Sequence, residues 1–309
     1  MRRPAATRRE SGIALIMALW LTVLLTAIAT GFVFSMRSDA LAARNAVSLA
    51  EAQAIADGAI ERTAYELMRP RMSASWKPDG SIHRWSDGGA SVAVVAVDES
   101  ARIDVNSAPD PLIKGLLMQV GGMDDASASA LVDAIADWRT PGDLRRPNGA
   151  KAPEYKAANL PYGPANAPFE TIGEVSRVLG MTPAVFARIR DAITVYSRLP
   201  GVDTATAGRD VLLALPGATA DVVDAFIAQR ADALAQGLPV PPFALAQGYA
   251  GGAVPVWRIH AQATLPDGVT FARDAVLRPS PDPRLPPVTL AWDVAPPAAS
   301  PAAQRLALQ

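Results

Sequence analysis

Residues 12–36 read GIALIMALWLTVLLTAIATGFVFSM, with no charged side chain among them. A helix needs about 20 apolar residues to cross a bilayer, and this run supplies them. It is longer than the apolar region of a secretory signal peptide, about 7–15 residues, and no A-x-A site followed by a loop closes it. Ahead of it stands MRRPAATRRESG, in which Arg2, Arg3, Arg8 and Arg9 face a single acid, Glu10. Positive flanks stay on the cytoplasmic side. The sequence therefore predicts one membrane span over residues 13–36, with the N-terminus cytoplasmic and everything after Met36 exported.

The helical pattern continues past the span. Residues 37–69 contain no proline and one glycine, Gly58, and are rich in Ala, Leu, Glu and Arg, all good helix formers. Leu41, Leu49, Ala52, Ala56, Ile60 and Leu67 recur at helical spacing, while Arg44, Glu51, Glu61, Arg62 and Arg69 fall mostly on the other side. Pro70 ends the pattern. Taken together, residues 13–69 predict one helix about 85 Å long, at 1.5 Å per residue. Its first half is apolar all round and suits lipid or a helical bundle; its second half is amphipathic and suits a globular body.

The exported body alternates between strand and helix signals. Residues 81–105 read as strands with a turn at Asp87-Gly88-Gly89, residues 254–278 as a hairpin around Pro266-Asp267-Gly268, and residues 288–294, VTLAWDV, as a last strand. The block between, residues 107–250, is helical and internally repeated. Val105-Asn106-Ser107-Ala108, Leu112, Leu116, Val132 and Arg139 answer Val202-Asp203-Thr204-Ala205, Leu212, Leu215, Val223 and Arg230. Each copy reads as helix, glycine turn (Gly121-Gly122; Pro216-Gly217) and helix. Thr171 and Glu174 have capping-box spacing, and Thr182-Pro183 opens another helix. The predicted fold is α+β: a long N-terminal helix on a small antiparallel sheet, with a large helical domain of helix-hairpin-helix-like repeats inserted between strands.

Composition narrows the function. The formal net charge is −1 and there is no cysteine, so neither electrostatic attraction to nucleic acid nor thiol or cysteine-zinc chemistry has a basis. His83 and His260 are the only histidines; each sits in a predicted strand outside any metal-ligand spacing. No G-x-S-x-G, Walker loop or dinucleotide glycine pattern occurs. The sequence thus predicts a protein that is not an enzyme.

A basic leader ending in Gly12, an aliphatic Ile13 after it, and one helix that is first apolar and then amphipathic resemble the type IV pilins and type II secretion pseudopilins. One position departs from them. Counting from Ile13, the fifth residue is Met17, where most pilins carry glutamate. That buried carboxylate offsets the N-terminal amine of a neighbouring subunit, because an uncompensated charge in a low-dielectric bundle is costly. A subunit with no neighbour above it has no such need. The missing glutamate, the inserted helical domain and the segments IDVNSAP, DWRTPGDLRRPNGA, YGPANAPFETIGEV and LGMTP together resemble the K-type minor pseudopilin family, the general secretion pathway protein K family.

The resemblance implies a leader over residues 1–12, a transmembrane segment over 13–36, a pilin-like helix and first strands over 37–106, the inserted domain over 107–250, further strands over 251–294 and a flexible tail over 295–309. It also implies cleavage between Gly12 and Ile13 by a prepilin peptidase, methylation of Ile13, and single-pass residence in the bacterial inner membrane. The partners it implies are other minor pseudopilins in a tip complex, and the role is to cap the pseudopilus that exports folded proteins across the outer membrane. A calcium ion in the inserted domain belongs to the same expectation. Residues 140–169 are rich in Pro, Gly, Asn and Ala, and Asp137, Asp143, Glu154 and Glu170 are the acids around them that offer the hard oxygens Ca²⁺ requires. Asn148 and Asn166 add neutral oxygens; Thr140 and Lys151 thin the cluster. The alternative is a membrane-anchored helix-hairpin-helix DNA-binding protein of the uptake type. Asp124, Asp125 and Asp221, next to the two hairpins, would repel phosphate and speak against it.

Overall fold

The computed structural model describes residues 11–69, 76–251, 256–282 and 285–295. The leader through Glu10, the stop at Pro70 and the tail after Ala295 lie outside the described residues. Helix α1 runs unbroken over Ser11–Met68. Strands β1 (Asp79–Asp87) and β2 (Ala90–Asp98) follow as a hairpin. Its turn needs glycine twice, since Gly88 and Gly89 have φ of 56° and 91°, the left-handed geometry that matches the twist of a tight hairpin.

The chain then leaves the sheet. Strand β3 (Ile103–Asp104) pairs in parallel with β4 (Ile193–Thr194), well away in sequence. Around this pair gather α2 (Asp110–Gln119), α3 (Asp125–Arg139), α4 (Ala152–Ala157), α5 (Pro183–Ile189), α6 (Arg209–Leu213) and α7 (Ala220–Ala235). The chain returns as β5 (Trp257–Thr264), β6 (Thr270–Arg278) and β7 (Val288–Val294), completing an antiparallel sheet of order β1-β2-β5-β6-β7. The helical unit is therefore inserted between two hydrogen-bonded neighbours, β2 and β5.

Ile103 and Val105 do not extend the sheet, as the strand reading of residues 81–105 predicts. A 3₁₀ turn over Glu99–Ala101 redirects the chain, and both side chains are buried in the core of the helical unit with Leu112, Leu116, Ile135 and Leu212. The unit begins where β2 ends.

The sheet lies on the second half of α1. Ala52, Ala56, Ala59, Ile60 and Ala64 are buried, and this stripe of small residues lets the helix backbone approach the sheet closely. Val92, Val94, Ile259, Ala261 and Ala275 meet it. The one buried hydroxyl in the stripe, that of Thr63, donates back to the Ala59 carbonyl at 2.7 Å, so no polar group is left unpaired. Leu41 and Leu49 stay exposed, although their spacing predicts them on the same face. The helix overruns the sheet, whose near end is marked by Ala52 packed with Ala90 and Leu265.

This register orients the whole molecule. Ser48 donates to Asp267 in the β5–β6 turn at 2.8 Å, while Leu67, about three helix turns beyond Ala56, packs in the core that contains Trp257 and Leu277. Asp98 and Trp257, where the helical unit departs and returns, are paired at that far end. The inserted unit thus leaves the sheet at the end remote from the apolar half of α1.

Candidate functional site

From Ile13 to Met36 the large apolar side chains of α1 are exposed, Met17 to 68 %, and this is the one helix among the described residues long and apolar enough to cross a membrane. Three threonines lie within it. The hydroxyls of Thr22, Thr26 and Thr30 donate to the carbonyls of Leu19, Thr22 and Thr26 at 2.8, 2.7 and 2.7 Å, so none presents an unpaired donor to lipid. The apolar half of α1 carries no carboxylate, and Met17 occupies the fifth position after Gly12.

The two helix hairpins of the inserted unit are built alike. The Asp104 carboxylate accepts the Asn106 N–H at 2.8 Å and the Asp203 carboxylate accepts that of Ala205 at 3.0 Å. Their main-chain carbonyls accept from Ala108 and Ala207. From α3 and α7, Arg139 and Arg230 reach back to the carbonyls of Val105 and Thr204. The repeat accordingly registers on Asp104 with Asp203, and not on Val105 with Val202 as the valines suggest. At the first hairpin the N–H groups of Gly121 and Met123 are already given to Leu116 and Leu117, and at the second that of Ala218 goes to Leu215. Such groups are not free to cradle phosphate.

Residues 140–169 are not one irregular stretch. Pro153 near the start of α4 and the Glu154 carboxylate, which accepts the N–H of the N-cap residue Lys151, build a short helix within them. Asp137, on the last turn of α3, is buried and its carboxylate accepts the Arg146 N–H, each oxygen at 3.2 Å. Gly149 is packed so tightly on that carboxylate that any Cβ would collide with it. Glu154 accepts the Lys151 N–H at 2.9 Å, which holds its carboxyl below the usual range, and pairs with Arg145 at 3.3 Å. Asp143 and Glu170 are exposed on the surface. The structure thus does not bring Asp137, Asp143, Glu154 and Glu170 together, and among the described residues no three acids or histidines converge as metal ligands.

Other residues hold this segment. Asn106 accepts the Phe169 N–H at 2.8 Å and donates to the Phe169 carbonyl at 3.0 Å, pinning the segment's end to the start of the first hairpin. Trp138 stacks on Phe169 with ring centroids 5.8 Å apart. Lys151 is buried within the segment. Sequence reasoning saw Lys151 only as an interruption among acids; its position ahead of a proline-initiated helix was the available signal.

Glu99 joins sheet and helical unit. It is fully buried, accepts from Arg102 at 3.0 Å and from Arg258 of β5 at 2.7 Å, and receives the Thr194 hydroxyl of β4. Burial pushes its pKa up, but attraction to Arg258 and Arg102 outweighs burial and holds Glu99 below the usual carboxylate range. Both histidines lie in strands, as read from the sequence. His83 stacks on Trp76 with centroids 3.7 Å apart, and burial lowers its pKa. His260 engages Asp274 of β6 at 2.7 Å through Nδ1.

The family described as type II secretion system (T2SS), protein K, matches residues 94–198. The match covers about a third of the chain. The K-protein match runs from within β2, through α2, α3, α4 and α5, to just past β4, so it contains the first hairpin, the segment around Lys151 and Glu99. A chain of the GspK-GspI-GspJ complex from the type 2 secretion system of enterotoxigenic Escherichia coli is similar in fold, with a TM-score of 0.58 at 15 % identity, over 84 % of this chain and 99 % of that one. No curated protein sequence matches. Nothing in these likenesses supports the DNA-uptake alternative.

Proposed function

We propose that this chain is a K-type minor pseudopilin, a structural, non-enzymatic subunit that caps the membrane-distal end of a type II secretion pseudopilus and so takes part in the export of folded proteins. The observation that carries the reading is the exit of the helical unit at the sheet end remote from the apolar half of α1. Placed in a filament whose N-terminal helices point toward the membrane, that bulk lies above the shaft. It would obstruct any subunit stacked over it. Met17 supports the same position, since a subunit with no neighbour above it needs no carboxylate to receive a neighbour's amine. The similar fold in a complex of GspK, GspI and GspJ supports assembly with two other minor pseudopilins. Single-pass residence in the inner membrane, with the leader cytoplasmic and the body periplasmic, follows from the arginines ahead of the span.

In this reading the prepilin peptidase cuts between Gly12 and Ile13 and Ile13 becomes the methylated N-terminus. Intact-mass analysis of the membrane-extracted protein tests the processing step, and co-isolation with the other minor pseudopilins tests the assembly. A mature chain beginning at Ile13 and recovered with those partners is expected. A retained leader, a cut beyond the apolar run near Ala29, or isolation without any pilin-like partner would overturn the proposal.

A further inference from the structure

The four acids expected to hold calcium do not converge on a site for that ion, and the segment they bracket holds a buried ammonium group. We propose that Lys151 is a built-in cation that orders residues 137–169, so that the order of this segment does not depend on a divalent metal. The side chain is 2 % exposed. Its Nζ donates to the carbonyls of Asp137 and Thr140, both at 2.7 Å, and to Oδ1 of Asn166 at 2.8 Å. An ammonium has three donors and no acceptor; all three are used.

The three oxygens come from both ends of the segment. Asp137 and Thr140 lie at the C-terminal end of α3, where the last carbonyls lack partners within the helix and the helix dipole favours positive charge. Asn166 lies at the opposite end and has φ of 52°, a left-handed conformation that asparagine tolerates better than most residues. One side chain therefore ties the start of the segment to its close. Lys151 also sits at the N-cap position of α4, with its own N–H given to Glu154.

Calcium takes 6–8 oxygens, several of them carboxylate. Here the oxygens facing the cation are two carbonyls and an amide. The carboxylates point elsewhere, that of Asp137 to the Arg146 N–H and that of Glu154 to the Lys151 N–H and Arg145.

Hydrogen exchange over residues 137–169, measured on the full chain in detergent micelles, tests the proposal in two arms. In the wild type, exchange should be the same in a chelator as in added calcium chloride. In Lys151→Met, which keeps the length of the side chain and removes its charge, exchange in this segment should quicken by at least about tenfold, the loss expected for hydrogen bonds to a charged group. Lys151→Arg should also lose protection, because a planar fork cannot place three donors on this triangle of oxygens. Asp143→Asn should leave protection unchanged. The proposal is overturned if the wild-type segment loses protection in chelator and regains it with calcium, or if Lys151→Met exchanges like the wild type. The chelator arm needs no variant and stands even if a substitution prevents folding.

Discussion

The carboxylate of Asp57 on α1 receives both Nε and Nη2 of Arg273 on β6, at 2.7 and 3.3 Å. Arg273 is buried there, with its guanidinium also against the rings of Phe271 and Trp292. A long helix that grips its sheet mainly through alanines gains little from each contact, and this bidentate pair adds a directional one. Arg273→Ala should therefore lower stability by about 1.5–3 kcal/mol, as for hydrogen bonds to charged groups. Thermal unfolding of the full chain in detergent checks it. The double variant with Asp57→Asn should be less destabilised than the sum of the two single changes, since they share one interaction.

Glu99 gives a pH-dependent prediction. Its folded-state pKa is depressed, below an unfolded value of about 4.3. A depressed carboxylate contributes stability that is present above the unfolded value and is lost as pH falls through the folded one. Glu99→Gln leaves the half-buried Arg102 and Arg258 without their shared counterion and should cost up to about 3–5 kcal/mol near neutral pH. The gap between variant and wild type should narrow as pH drops below about 4.3. A gap that is constant from pH 7 to below that range would show that the charge of Glu99 is not what joins the two units.

Much of this was legible because periodicity is a local property. The apolar run at residues 12–36, the helix through Met68, the glycine turn at Gly88-Gly89 and the hairpin of β5 and β6 all follow from patterns within a few residues of one another. What failed depended on distant partners. Leu41 and Leu49 repeat correctly yet face no sheet, because the sheet's near end is set by Ala90 and Leu265. Val105 looks like a strand residue, but a 3₁₀ turn at Glu99 carries it into another core. Asp137 is acidic and beside a loop, yet its carboxylate is claimed by the Arg146 backbone, while Lys151, which looked like an obstacle, gathers oxygens from residues far apart in the chain. Polar side chains report their role only through partners, and spacing alone does not name those partners.

Met17 provides a test of position within the filament. Met17→Glu places a carboxylate in the apolar span, at a cost of up to about 2.5–3.5 kcal/mol on insertion scales. If the subunit has no neighbour above it, the new charge meets no amine, and secretion by cells carrying the variant should be unchanged or reduced. A marked gain in secretion would show that the position does face a neighbouring N-terminus.

The most direct measurement is the number and place of this chain in an assembled pseudopilus. An electron-dense label on the exposed 140–144 loop of the inserted unit, imaged on isolated filaments, reads both. A single label at one end, the end away from the membrane, is the result predicted here. Labels distributed along the shaft, or at the membrane end, would contradict the tip assignment.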